Sequence, residues 1–327
     1  MGTLENYLKQ FAKLRVDSSR ARWSPITKYC APHKPLLLLA VLDLFSQGSI
    51  ASNLIEISPD LGELFNIYWS KVVPPGHRAN LALPFFHLKS EGFWHLLPIP
   101  GRESFLAAVR QIRSVNQLHK TVLGAKLDSD LYDLFCDKDA REALRVVLVE
   151  IYFADGVQKE LIEQGFVNFE SFRYAQTLLG DLEKSSAKDI LGGADMYASP
   201  IRDQGFRRAI ITAYNHRCAF CGIRMLTPDG HTVLEAAHIV PWSISHNDDP
   251  CNGLGLCRLC HWAFDEGLLG VSSEYAVTIS PELNNNDNIP GQVLALAERP
   301  ILGPSNKVYW PDLDALRWHR QNVFRRL

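Results

Sequence analysis

Cys218-Ala-Phe-Cys221, Leu234-Glu-Ala-Ala-His-Ile-Val240 and Cys251-Asn-Gly-Leu-Gly-Leu-Cys-Arg-Leu-Cys-His-Trp-Ala-Phe-Asp265 decide how this chain reads. A Cys-x-x-Cys pair wraps two thiolates around one tight knuckle, and zinc takes four such ligands tetrahedrally at about 2.3 Å. Cys218, Cys221, Cys257 and Cys260 therefore read as a closed, structural zinc clamp with no open position. A redox role fits less well, because two pairs crowded into one small module favour ligation over exchange.

The segments around the clamp carry chemistry. Leu234–Val240 alternates, is rich in strand formers, and stops at Pro241, which places His238 at a strand end. Arg258–Leu269 follows the second knuckle as a helix, with His261 and Asp265 four apart on one face. A strand-borne histidine opposite such a pair suits metal-assisted phosphodiester hydrolysis. One histidine deprotonates water while Mg²⁺ or Mn²⁺ stabilises the scissile phosphate. Taken singly, each residue has a plain reading: a satisfied histidine beside a proline, a spare zinc ligand, a solvated helix acid. Together, on a Cys-x-x-Cys frame, they read as a site.

Residues Phe206–Gly270 resemble an HNH nuclease domain of the ββα-metal fold, in the variant with a four-cysteine zinc site. The resemblance implies that His238 is the general base, that Asn252 supports the loop between strand and helix, and that Asp265 is the final metal ligand in place of histidine. His261 matches a helix position that binds the catalytic metal in some members. Many members carry Asp or His immediately before the base; here Ala237 stands there, and Glu235, on the same strand face, is the candidate substitute ligand.

Composition sets the frame. The 327 residues suffice for two domains, and 46% hydrophobic with 21% charged residues is ordinary for a globular protein. The longest apolar run, Leu36–Leu42, is too short to span a membrane, and the N-terminus reads as an amphipathic helix, so a cytoplasmic protein is expected. Five of the seven cysteines lie between Cys218 and Cys260, which favours metal over disulfides. A net charge of −2 decides little about DNA: bases gather near the N-terminus (Lys9, Lys13, Arg15, Arg20, Arg22, Lys28, Lys34) and acids later (Asp128 to Glu142).

Helices are expected at Leu4–Leu14, Pro35–Phe45 and Pro59–Val73, followed by strand fragments at Leu83–Leu88 and Phe93–Leu97. A mostly helical stretch runs from Arg102 to Glu183. Lys184–Lys188 and Leu191–Ala194 are small and flexible enough to be linkers. Helices resume at Phe206–Tyr214 and Pro311–Phe324, and Asn284–Asn288 reads as a surface loop. The expected class is α+β: a mixed helical and short-strand DNA-reading domain over 1–165, a helical connector over 166–200, and a zinc-stabilised ββα-metal domain over 201–327.

Ala31–Ala40, Gly76-His-Arg-Ala-Asn80 and Leu83–Leu88 resemble the sulfur-binding domain of phosphorothioate-dependent restriction endonucleases, which precedes an HNH domain in that family. Sulfur in place of a non-bridging oxygen is larger, softer and less hydrated. An apolar socket rewards it while nearby cations hold the remaining charge. His77 and Arg78 with Pro84 and Phe85 offer such a mixture, and Arg22, Tyr29, His33 and Lys34 offer a grip on flanking backbone. The apolar members also read simply as core.

The expectation is a modification-dependent endonuclease acting on phosphorothioated double-stranded DNA, with a homodimer as one way to cut both strands. Two other readings differ testably. An HNH enzyme reading methylated or hydroxymethylated cytosine needs a flipped-base pocket, and a non-catalytic zinc-stabilised DNA-binding protein would be indifferent to loss of His238.

Overall fold

Every side chain from Leu36 to Leu42 is fully buried, because a helix apolar on all sides has to be sheathed on all sides. A computed structural model describes residues 3–181, 199–284 and 288–326. They form two compact units. One runs to Phe169 and takes in Thr227–His231; the other holds Glu170–Leu226 and the chain from Thr232 onward.

In the first unit α1 (Leu4–Phe11), α2 (His33–Ser46), α3 (Pro59–Val72) and α4 (Ala82–His87) lead to strand β1 (Trp94–Pro98). Two short helices, α5 (Glu103–Ala108) and α6 (Val115–His119), lead to β2 (Val122–Leu127), which pairs antiparallel with β1, Trp94 opposite Leu127. Then come α7 (Ser129–Cys136), α8 (Lys138–Tyr152) and the long α9 (Asp155–Asp181), whose residues after Phe169 belong to the second unit. Helix starts follow local chemistry. Ser58 accepts from Leu61 N–H at 3.1 Å with Pro59 leading α3, and Asp137 accepts from Ala140 N–H at 2.8 Å.

The apolar α2 carries one buried acid, Asp43. Its carboxylate meets Arg145 of α8 at 2.8 Å, the Tyr68 hydroxyl of α3 at 2.9 Å and Asn168 Nδ2 of α9 at 2.6 Å. Four helices thus share one polar knot, in which burial raises the Asp43 pKa against the pull of Arg145.

Two expectations are corrected here. Leu83–Leu88 is helical: Asn80 Oδ1 accepts from the N–H groups of Ala82 (3.1 Å) and Leu83 (3.4 Å), and Pro84 lies in the first turn, where its missing donor costs nothing. The stretch from Arg102 is interrupted by β2, whose partner β1 lies outside the window a helical pattern reads. The expected linkers at 184–188 and 191–194 lie outside the described residues, as does the middle of the 284–288 loop.

In the second unit α10 (Ser199–Ala213) packs on the hairpin of β3 (Leu234–His238) and β4 (Gly253–Cys257), with α11 (Trp242–Ser245) in the connection. Register sets His238 opposite Gly253 and Ala236 opposite Gly255. A Cβ on Gly255 would stand 2.7 Å from the Tyr214 ring, so glycine there lets the end of α10 close on the hairpin. Helix α12 (Arg258–Asp265) follows β4 directly and stops four residues short of the expected Leu269, where Gly267 adopts φ +70°. The pair β5 (Leu269–Val271) and β6 (Val277–Ile279) and the Asp312-capped α13 (Leu313–Asn322) complete the unit. No helix among the described residues is long and apolar enough to cross a membrane.

Candidate nuclease centre and DNA-reading cavity

The cysteine sulfurs come from the turn before β3 and from the β4–α12 junction. All four lie within 4.8 Å of one another, with Cys221 and Cys257 at 3.7 Å. A tetrahedron with bonds of about 2.3 Å has edges of about 3.8 Å, so the donor set fits zinc.

Next to the clamp lies a cleft of about 470 Å³ lined by His238, Trp242, His261, Phe264, Asp265 and His319, with Ala236, Ile239, Pro241 and Val323. Three candidate residues, His238, His261 and Asp265, therefore share one cleft. His261 Nε2 is 3.4 Å from Asp265 Oδ2, and its Nδ1 is 2.9 Å from Glu235 Oε2. Glu235 also pairs with Arg258 at 3.0 Å. The carboxylate of Glu235 thus sits on the ring nitrogen opposite the one facing Asp265. Burial, chiefly, raises the Asp265 pKa, and Glu266 and Glu235 add to it against His261.

The His238 ring stacks on Phe206 of α10, centroids 3.9 Å apart and planes within 12°. Its Nε2 lies 2.7 Å from Asp248 Oδ1. Nothing in the sequence marks Asp248: its position ten residues past the histidine, in an Asn-Asp-Asp run, looks like solvated loop. Asn252, almost fully buried, accepts from Val240 N–H at 2.9 Å and donates to Val240 O and Asn247 O, each at 3.0 Å. His319 also escaped the sequence reading. It stacks on Phe264 with centroids 3.7 Å apart, its Nε2 is 3.0 Å from Phe264 O, and burial lowers its pKa to about 4.

The residues chosen in the first unit separate into two groups. Arg22 and His77 line one cavity of about 280 Å³ with Trp23, Thr27, Val72, Val73 and Pro74. His33 does not line it but lies edge-on to Trp23 (5.3 Å), which does, and to Trp69 (4.7 Å), whose Nε1 donates to His77 O at 3.1 Å. Tyr29 is partly exposed at φ +60° with the Arg20 guanidinium 5.1 Å from its ring centre, and Arg78 is exposed. By contrast Pro84 and Phe85 are buried, Phe85 edge-on to Trp94 in the core, and Lys34 is buried against Glu91 and Ser90. The apolar wall beside Arg22 and His77 comes from Val72, Val73 and Pro74, a stretch that periodicity reads as a helix end.

Two family profiles match this chain. A ScoMcrA-like DNA sulfur-binding domain matches residues 5–166, and an HNH endonuclease matches residues 218–272. Among curated proteins none matches. One similar solved structure is a modification dependent TagI restriction endonuclease, 27% identical over 38% of this chain and 39% of that chain, with a TM-score of 0.29.

Proposed function

The chain carries a ScoMcrA-like DNA sulfur-binding domain followed by an HNH endonuclease domain, and from that pairing we propose a modification-dependent DNA endonuclease directed to phosphorothioated duplexes. One observation carries the reading of the nuclease half: His238, His261 and Asp265, chosen for their spacing, line a single cleft beside a four-sulfur clamp.

In this reading residues 1–165 read the DNA, 166–200 connect, and 201–327 cut. His261 and Asp265 hold a divalent cation, Mg²⁺ or Mn²⁺, and Glu235 fixes the histidine from behind. When bound, that ion supplies charge stabilisation at the phosphate. His238 takes a proton from water, the water oxygen bonds to phosphorus, and the bond to the leaving sugar oxygen breaks as that oxygen gains a proton from solvent. Cys218, Cys221, Cys257 and Cys260 hold zinc and set β4 against α12.

The cavity in the first unit supports the choice of mark. Val72, Val73, Pro74 and Trp23 give it apolar walls, while Arg22 and His77 stand at its lining. A poorly hydrated sulfur gains from such walls, and the cationic side chain answers the phosphate charge. Tyr29 and Arg78 sit on the surface for flanking backbone. Cutting both strands calls for a second active site or for rebinding, and a homodimer on one duplex would supply the former.

The test uses matched duplexes, one with a phosphorothioate of defined stereochemistry and one without, in Mg²⁺ and in Mn²⁺. Cutting of the sulfur-bearing duplex alone is expected. Equal cutting of both removes the sulfur reading and keeps the nuclease. Cutting that follows methylated or hydroxymethylated cytosine moves the assignment to a base mark.

A further inference from the structure

We infer that Asp248 is the positioning residue of the nuclease centre: it fixes the ring orientation and tautomer of His238. The inference rests on the reading of His238 as the general base and adds a residue that reading does not contain.

The geometry is specific. The Asp248 side chain is 1% exposed, and its Oδ1 lies 2.7 Å from His238 Nε2. A carboxylate only accepts, so Nε2 carries the hydrogen, and in the neutral ring the lone pair is then on Nδ1. Phe206 stacks flat on the same ring. With one nitrogen bound and one face covered, the ring is held with Nδ1 as its remaining basic atom, and His238 lines the cleft that holds His261 and Asp265. That is the state a base needs before it takes a proton from water. The imidazolium formed afterwards is paired with the carboxylate already hydrogen-bonded to it.

The carboxylate is itself held from two sides. Arg202 Nη1 of α10 lies 3.3 Å from each Asp248 oxygen, and the Tyr174 hydroxyl of α9 donates to Oδ2 at 3.0 Å. The Arg202 guanidinium lies 3.8 Å from the Trp242 ring centre, and Trp242 lines the cleft. A buried cation thus faces this carboxylate and a phenol donates to it, so neither oxygen is left without a partner.

The same asparagine spaces both partners. Asn252 grips Val240, two residues after His238, and Asn247, one residue before Asp248. Asp249, on the other side, accepts from Cys251 N–H at 2.8 Å and is anchored through Asn247 Oδ1 at 2.8 Å. Asp248 is thus the buried residue between two pinned neighbours, and its distance from His238 is set by Asn252. A loop that only needed a turn would not direct a carboxylate inward against a histidine, an arginine and a tyrosine.

The experiment uses the zinc-loaded full chain, its cognate duplex and the variants Asp248→Asn, Tyr174→Phe and His238→Ala. Long-range ¹H–¹⁵N spectra report the tautomer of His238, and steady-state cleavage reports kcat and KM. The wild-type ring is expected to be protonated at Nε2. Asp248→Asn presents an amide that donates to Nε2, so the ring should switch to the Nδ1–H form. Its kcat should then fall by roughly 10²–10⁴-fold with KM little changed, the size seen when an orienting carboxylate is lost behind a catalytic histidine. Tyr174→Phe, which leaves all charges in place, should lower kcat by about tenfold or less. A purely structural Asp248 would not move the tautomer. A wild-type ring protonated at Nδ1 overturns the proposal without any variant, should Asp248→Asn fail to fold. Asp248→Asn cutting within about threefold of wild type, with His238→Ala inactive, overturns it and leaves the base reading standing. Active His238→Ala removes the base reading and this proposal with it.

Discussion

Asn252 holds Val240 by both of its backbone polar groups, accepting from the N–H at 2.9 Å and donating to the C=O at 3.0 Å. Backbone from two distant segments is locked by one neutral side chain that alone can both accept and donate there. Asn252→Ala leaves a buried N–H and two carbonyls to find other partners, so a loss of about 1–3 kcal/mol in the second unit is expected. Cleavage should fall by more than about 10²-fold, because His238 is two residues from the released strand end. Asn252→Asp keeps the acceptor and places a negative oxygen against Val240 O, and should be no better than alanine. Nicking rates and thermal unfolding check both; an aspartate variant with wild-type cutting would contradict the clamp.

Glu235 lies 2.9 Å from His261 Nδ1, opposite the nitrogen that faces Asp265. A carboxylate behind a metal-binding histidine fixes its tautomer, and its loss weakens metal binding by roughly 10–100-fold. Glu235→Ala should therefore raise the Mn²⁺ concentration needed for half-maximal cutting by that factor, with activity recovered at saturating metal. Asp265→Ala, which removes a direct ligand in this reading, should not recover. If Glu235→Ala also stays inactive at saturating metal, Glu235 acts at the ion itself.

The nuclease half was legible because its chemistry is tied to spacing. Two knuckles and a His-x-x-x-Asp pair on a helix force their own geometry, and His238, His261 and Asp265 do share a cleft. Asp248 was not legible, since nothing in the sequence separates a solvated loop acid from one turned inward on Arg202 and Tyr174. In the first unit Leu83-Pro-Phe-Phe-His-Leu88 has a single polar residue, His87, too little to reveal its period, and Asn80 capping with Pro84 decided for helix. The cavity wall at Val72–Pro74 was hidden for a related reason: helix ends are read as boundaries, while their side chains still line surfaces.

His33 sits between Trp23 and Trp69, and burial lowers its pKa from 6.5 to about 4, with Asp17 opposing. The folded chain keeps it neutral down to about pH 4, whereas the unfolded chain protonates it below 6.5. Its contribution is therefore complete above 6.5, is lost progressively as pH falls, and levels off below about 4. The ceiling is about 3 kcal/mol. His33→Gln should flatten that part of the pH dependence, measured as the difference from wild type in urea unfolding followed by tryptophan fluorescence. Identical slopes in the two proteins would mean that His33 titrates alike in the folded and unfolded chains, and would overturn the burial effect.

In the zinc reading the four clustered sulfurs should make the second unit dependent on the ion, since metal affinity is expressed as folding free energy. The chain should carry about one zinc by mass spectrometry of the metal, as a single four-thiolate site requires. Cys257→Ser or Cys260→Ser should lose most of it, lower the unfolding temperature of the nuclease unit and abolish cutting. Binding of a phosphorothioated duplex should persist, because the reading cavity is lined by residues of the first unit. Loss of DNA binding together with zinc would tie the two activities to one folding event.

The knot around Asp43 bears on stability alone. Its carboxylate is fully buried and faces Arg145, 3% exposed, at 2.8 Å through Oδ1, while the Tyr68 hydroxyl and Asn168 Nδ2 both donate to Oδ2. Taking either charge alone leaves the other without compensation in the core, which costs about 3–5 kcal/mol. Asp43→Ala and Arg145→Met should each destabilise the first unit by that amount. The pair Asp43→Leu with Arg145→Met removes both charges and should recover much of the loss, because desolvation nearly cancels the attraction of a buried pair. A double variant as unstable as the sum of the singles would place the value of the knot in its hydrogen bonds to Tyr68 and Asn168 and not in the ion pair. Urea unfolding of the four proteins at one pH decides between the two.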